Sequence, residues 1–306
     1  MLAPVLATVA IAGALMMIGR WSNDRRAALR VHAAATRPVA HVLPQGLTLD
    51  RTPHYRIRSA ADAATTADVA AAVEALHDAY AHTFPISRDG PFELVLYRDR
   101  AQFRAHNRST PWAEAYYREP ICHAYAGDPP NRYHWMLHEA THQLLREGSG
   151  YRPARWANEG IAGYFGASRI VDGRLRPGTV SPNAYPIWWL AATPLSGNID
   201  RDIELNAFVP LDALLDSDRT DIAPQLNGYY LGWWSLTHFL MHGQGGRYAP
   251  AFHELVAHGA SRAEFEKRIG PLPKIQLEWY AHMWGAVQAA RENRLDRWAS
   301  GFDAKH

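Results

Sequence analysis

The chain has 306 residues, 47% apolar and 20% charged, which excludes a disordered protein and suits one large domain with small additions. Its 32 Lys and Arg against 30 Asp and Glu give a formal net charge of +2, which offers no electrostatic footprint for nucleic acid. The single cysteine, Cys122, excludes intramolecular disulfides, iron–sulfur clusters and cysteine-rich zinc sites.

Residues 2–18 carry no charge and are followed by Arg20, Arg25 and Arg26. That run reaches the short end of what spans a bilayer. Residues 1–20 are therefore expected to be a signal or a membrane anchor, retained or cleaved near Ala12-Gly13-Ala14. The expected location is the cell envelope. Residues 1–44 hold five Arg and one acid, so the remainder carries 27 basic and 29 acidic residues. Residues 21–46, rich in Ala and Arg with Pro38 and Pro44, read as a linker, and 47–306 as one domain.

His54–Arg58 alternates like a strand. Thr65 or Thr66 then caps a helix whose apolar stripe is Val69, Val73, Leu76 and Tyr80. Phe92–Tyr97 is a second strand, 99–106 a short helix and Ile121–Ala126 a third strand, in which Cys122 is a small buried residue. Gly127-Asp128-Pro129-Pro130 stops that strand. Helical patterns follow at about 132–147, 156–166, 227–241, 249–258, 261–269 and 274–290, with Ser261 and Glu264 as a capping box. Between them, Asp172-Gly173 joins Ile170-Val171 to Arg174-Leu175 as a hairpin with a primed turn. The order is a small mixed sheet followed by a mostly helical part, hence α+β.

His138-Glu139-Ala140-Thr141-His142 is HExxH. On a helix, i and i+4 share a face, so both imidazoles can reach one ion. Glu139 falls beside that ion and not on it, where a general base for a metal-activated water belongs. A catalytic zinc takes three protein ligands and leaves one position open. Glu159, 17 positions after His142 in Trp156–Phe165, is the candidate third ligand. The alternative HExxHxxGxxH pattern fails, because Leu145 and Gly148 stand where it needs Gly and His. His134, one turn before His138, would close the site as a fourth ligand, so it reads instead as a helix-terminus residue or a support for the ligands. His238 and His242 repeat the spacing, but Phe239 stands where the base would be and no third ligand is in view. The pairs Trp188-Trp189 and Trp233-Trp234 read as core.

HEATHQ followed by WANEGIAGYF resembles the gluzincin clan of zinc metallopeptidases, most closely its bacterial peptidase-MA-like group, over about residues 54–285. The resemblance implies a zincin, thermolysin-like catalytic domain that hydrolyses peptide bonds in a peptide or protein substrate, with Zn²⁺ on His138, His142 and Glu159. It implies that a downstream tyrosine donates to the developing oxyanion. Tyr230 holds that position in Tyr230–Leu240, and Tyr229 is its neighbouring alternative. It also implies an edge strand that pairs with extended substrate, for which Ile121–Ala126 is the candidate. The aminopeptidase GxMEN segment is absent, so exopeptidase action of that type is not implied. Position 163 is Gly, where thermolysin-like enzymes carry an acid that supports a zinc-bound histidine, so another group must orient His138 or His142. Two alternatives stand beside the peptidase: a non-catalytic peptide- or cell-wall-binding module on the same scaffold, and a zinc amidase. Glu139 argues against the binding module, which has no need of a base beside the metal.

Overall fold

The structure, a computed structural model, describes residues 43–128 and 131–303. The chain divides into two units, Met1–Leu43 and Pro44–His306, and every element below belongs to the second. The expected membrane or signal segment at 1–20, most of the linker and the Pro129-Pro130 stop lie outside the described residues. No helix among the described residues is long and apolar enough to cross a membrane.

A five-stranded sheet opens the unit. β1 (Thr48–Arg51) pairs antiparallel with β2 (Tyr55–Ser59). In β2, Tyr55, Ile57 and Ser59 are buried while Arg56 and Arg58 face solvent, the alternation of a half-buried strand. Helix α1 (Ala63–Thr83) crosses over to β3 (Phe92–Tyr97), parallel to β2. The predicted stripe Val69, Val73, Leu76 and Tyr80 is fully buried. Its cap is Asp62 and not a threonine: Asp62 accepts from the Thr65 N–H at 2.7 Å, and an acid at the N-cap is also favoured by the helix dipole. After α2 (Arg100–His106), capped by Asp99, come β4 (Tyr116–Arg118) and β5 (Ile121–Tyr125).

The sheet order β1-β2-β3-β5-β4 corrects the expectation for Ile121–Ala126. β5 is an inner strand, parallel to β3 on one side and antiparallel to β4 on the other, so the edge on this side belongs to Tyr116–Arg118. Cys122, at the centre of β5, is fully buried as expected.

The helical part begins with α3 (His134–Gln143), which widens into a π turn over Leu144–Gly148. Gln143 is fully buried and donates to Glu93 O at 3.0 Å and Pro120 O at 2.8 Å, tying the helix to β3 and to the start of β5. Helix α4 (Arg155–Gly166) packs against α3 and against α7 (Leu226–Gly246). Between them β6 (Arg169–Val171) and β7 (Arg174–Arg176) form the predicted hairpin, with Asp172 at φ 52° and Gly173 at φ 72°. Short helices α5 (Ile199–Glu204) and α6 (Leu211–Leu215) had no strong sequence signal. Helices α8 (Ala249–Ala257), α9 (Arg262–Arg268), α10 (Leu272–Arg291) and α11 (Leu295–Asp303) complete the unit. Ser261 caps α9 by accepting from the Glu264 N–H at 3.3 Å. The architecture is α+β, a small mixed sheet followed by helices.

Trp233 and Trp234 are core at 1% exposure each, as expected, but Trp188 and Trp189 are not, at 44% and 42%. They sit on a single 3₁₀ turn, Ile187–Trp189, whose Ile187 and following Leu190 face inward. So short a turn has one buried side, and the adjacent tryptophans fall off it.

Candidate metal centre

His138 and His142 lie one turn apart on α3, with their Nε2 atoms 3.2 Å from each other. The Glu159 carboxylate on α4 reaches both. Its Oε2 is 3.3 Å from His138 Nε2 and 3.8 Å from His142 Nε2. Glycine sets this approach. A Cβ at Gly166 would meet His134 O at 3.0 Å and the His138 Cβ at 3.1 Å, so α4 crosses α3 closely enough only with hydrogen there. Glu159 lies seven residues, two turns, before Gly166 and so shares its face. On the other side of α4, a Cβ at Gly160 would come within 2.6 Å of Trp233 O and collide with the Thr237 hydroxyl, so α7 presses in as closely.

The four atoms of a tetrahedral zinc site sit about 3.4 Å apart, given metal–ligand distances near 2.0–2.1 Å. The three separations here, 3.2, 3.3 and 3.8 Å, match that spacing, and the donors are the two imidazoles and one carboxylate that such a site uses.

Glu139 is the competing third ligand, since its carboxylate lies within 4.8 Å of both imidazole nitrogens. Two facts favour Glu159. Burial disfavours its charge, but His142 and His138 outweigh that and hold its carboxyl at about 2, so it is ionised in the metal-free fold. Glu139 has the reverse environment: burial raises its carboxyl to about 7, the Glu159 charge adds to this, and His142 and the Tyr117 N–H oppose it. Its Oε2 is also engaged, accepting from the Tyr117 N–H at 2.8 Å.

Tyr230 lines the same cleft, and Tyr229 does not. The latter is buried against Trp233. Asn227 and Gly228 fall inside the first turn of α7, so Tyr230 starts the second turn. Its ring packs on Tyr185 and Trp233, with centroids at 5.1 and 4.9 Å. Burial and then the Glu159 charge push its phenol far above the ordinary range, so it remains a proton donor at any working pH.

The support for the histidines differs from the thermolysin-like arrangement. Gly163 faces Trp234, whose Cβ and Cδ1 would lie 3.7 and 4.0 Å from a Cβ there, and it carries no acid. His142 Nδ1 is buried with no hydrogen-bond partner among the described residues. His134 is fixed through Nδ1 to Asn131 O at 2.9 Å and lines the cleft. His238 and His242 do meet a third histidine, but in a hydrogen-bonded cluster. His238 uses Nδ1 toward His282 Nε2 and Nε2 toward Gly178 O, both at 3.0 Å, and His242 Nε2 is 2.8 Å from the Tyr164 hydroxyl. The Gly178 carbonyl takes the proton of His238 Nε2 and Nδ1 faces His282, so the histidines are tied into a hydrogen-bonded network.

The cleft holds about 1210 Å³, and Trp112, Trp135, Trp188 and Trp189 give it an aromatic wall. Sequence reading missed two of its groups. Tyr117 acts on Glu139 through its backbone, which any residue type would supply. Tyr185 belongs to no motif, and only the fold brings its ring onto Tyr230. No model of a protein family matches this chain, and no curated protein is significantly similar to it.

Proposed function

We propose that this protein is a zinc-dependent peptide hydrolase with a zincin core of the gluzincin type. The observation that carries the reading is the convergence of His138, His142 and Glu159 at tetrahedral spacing, with Glu139 beside them and its Oε2 engaged by the Tyr117 N–H. The likeness of HEATHQ and WANEGIAGYF to that clan supports it further. His138, His142 and Glu159 would hold the Zn²⁺, which supplies Lewis-acid polarisation of the scissile carbonyl and of water.

The chain's own groups account for the proton movements and the charge. Glu139, held through Oε2 by the Tyr117 N–H, takes a proton from water and returns it to the leaving amine. In the metal-free fold burial raises this carboxyl to about 7, and a neighbouring Zn²⁺ would lower it and favour the form that accepts a proton. The Tyr230 phenol donates to the carbonyl oxygen as negative charge develops on it. The edge at Tyr116–Arg118, apart from the Tyr117 N–H that Glu139 holds, offers backbone groups to an extended peptide, taking the role expected of Ile121–Ala126. The uncharged run at 2–18 supports placement at the cell envelope.

The test is zinc content and cleavage of a peptide library by the full chain. Glu139→Gln should keep its zinc and lose hydrolysis by about 10²-fold or more. His142→Ala should lose both hydrolysis and one equivalent of zinc. A Glu139→Gln protein that cleaves normally would sink the proposal. So would His142→Ala with its full zinc complement.

A further inference from the structure

A second convergence of ligating side chains lies outside the cleft. His54 stands in the β1–β2 connection, His77 in the middle of α1 and Asp89 in the connection from α1 to β3. None of the three lines the cleft. The imidazoles of His54 and His77 stack with centroids 3.6 Å apart and planes at 11°. Both Nε2 atoms converge on one carboxylate: His77 Nε2 is 3.1 Å from Asp89 Oδ1, and His54 Nε2 is 3.7 Å from Asp89 Oδ2.

Three features distinguish this cluster from an ordinary surface ion pair. The first is the orientation of His54. Its Nδ1 is 2.6 Å from Glu74 Oε2, and its backbone N–H donates to Glu74 Oε1 at 2.9 Å. The Thr52 hydroxyl donates to the same carboxylate. A carboxylate fixed in this way keeps the proton on Nδ1 and leaves the Nε2 lone pair free, which is how metal-bound histidines are supported. The second is His77. It is 3% exposed, and neither ring nitrogen has an aligned hydrogen-bond partner among the described residues. A buried nitrogen in that state is costly, and an ion would complete Nε2, the one that faces Asp89. The third is the backbone. A Cβ at Gly90, φ +94°, would stand 2.6 Å from His54 O, and the Phe92 N–H donates to that same oxygen at 2.8 Å. The chain is thus pressed against His54 directly after Asp89.

We propose that His54, His77 and Asp89 form a second divalent-metal site of the zinc-binding kind, with Glu74 orienting His54 and solvent completing the coordination. The 3.1 and 3.7 Å separations straddle the roughly 3.4 Å between ligands of a tetrahedral zinc. All three donor atoms lie within 4.8 Å of one another. A metal sits in the plane of each imidazole that binds it, so the stacked rings must splay, His77 turning about χ2 while Glu74 holds His54. The Asp89 side chain, 74% exposed, has room to follow, and it leaves one face open to water.

The site would be a clamp. The N–H groups of Ser87 and Arg88 donate to Gly148 O at 2.8 and 2.9 Å, and the Ser87 hydroxyl donates there too at 2.9 Å. Arg88 pairs with Glu147 at 3.3 Å. An ion on Asp89 would therefore join the β1–β2 connection, α1 and the end of the HExxH helix through one short segment.

The experiment is titration of the chelator-treated full chain with zinc chloride alone, read against a chromophoric competitor and by thermal unfolding. Wild type should take up two equivalents. Asp89→Asn and His54→Gln should each take up one, lose the corresponding zinc-induced rise in Tm and keep the activity of the cleft. Glu74→Gln should bind the second equivalent 10- to 100-fold more weakly, the usual effect of removing a carboxylate behind a ligating histidine. His142→Ala should retain this equivalent, which separates the two sites and makes the result independent of the cleft's chemistry. Failure of the His142→Ala protein to take up any zinc would overturn the proposal. So would an unchanged titration in Asp89→Asn, whose substitution at an exposed side chain leaves folding intact if His54→Gln does not fold.

Discussion

Replacing Glu139 with Gln in the metal-free protein should raise its stability by about 2–3 kcal/mol at pH 8 and change it little at pH 4. An unfolded chain ionises this carboxyl near 4.5, whereas burial beside Glu159 holds it at about 7 in the fold. Below 4.5 both states are protonated and the group contributes nothing. Between 4.5 and 7 the unfolded chain releases the proton and the folded chain keeps it, so stability falls as pH rises. Above 7 both are ionised and the full penalty persists. The interval, taken at about 1.4 kcal/mol per pH unit, gives about 3 kcal/mol. Water in the cleft screens the charge and brings the figure down towards 2. Gln keeps the shape and a carbonyl oxygen for the Tyr117 N–H, so the comparison isolates the charge. Glu159 acts in a different window: held at about 2, it adds stability above 4.5 that is lost as pH falls towards 2. The assay is urea unfolding of both proteins, stripped of metal, from pH 4 to pH 8. Parallel stability curves for the two would refute the claim that Glu139 is held protonated by its surroundings.

Tyr230→Phe should leave zinc content and fold intact and lower kcat by about 10²–10³, the cost of one oxyanion donor. Steady-state kinetics of Tyr230→Phe beside Tyr185→Phe and Tyr229→Phe check this, and a larger loss in either neighbour would move the role. Gly160→Ala should destabilise the protein by about 1–3 kcal/mol, because the new methyl meets Trp233 O and Thr237. It should also weaken zinc binding by pushing Glu159 off the histidines, which thermal unfolding and competitive zinc titration measure together.

The parts of this protein that could be read from its sequence are those whose signal is local. HExxH is one turn of helix, so its geometry follows from its spacing. The hairpin at Asp172-Gly173 is legible because two positive φ angles demand such a pair. The stripe on α1 repeats at the helical period. What was missed arises from pairing across the chain. Tyr116–Arg118 is three residues without alternation, and it becomes a strand only because β5 lies beside it. That is why the sequence points to an edge one strand too far in. Trp188 and Trp189 looked like core from composition, and only a turn too short to bury both faces places them on the cleft. His282 joins His238 from 44 residues away, and His54, His77 and Asp89 come from three separate connections and helices, so no spacing rule announces either group. Glu159 was legible through likeness to a known pattern, but its reach to the histidines depends on Gly160 and Gly166, whose importance is visible only once the helices touch.

The widened turn at Leu144–Gly148 bears on how this chain tolerates changes of length. A π turn is an α turn with one extra residue accommodated in it. Here that residue falls after the HExxH segment and before the Gly148 carbonyl that three groups of Ser87 and Arg88 grip. The extra residue therefore acts as a phase adjuster. It rotates the helix end to meet its anchor while leaving His138 and His142 facing Glu159. Two surfaces of one helix are thereby brought into alignment by a count of residues and not by the identity of any of them. A single-residue deletion in this turn would put the two surfaces out of step even if every side chain discussed above were kept.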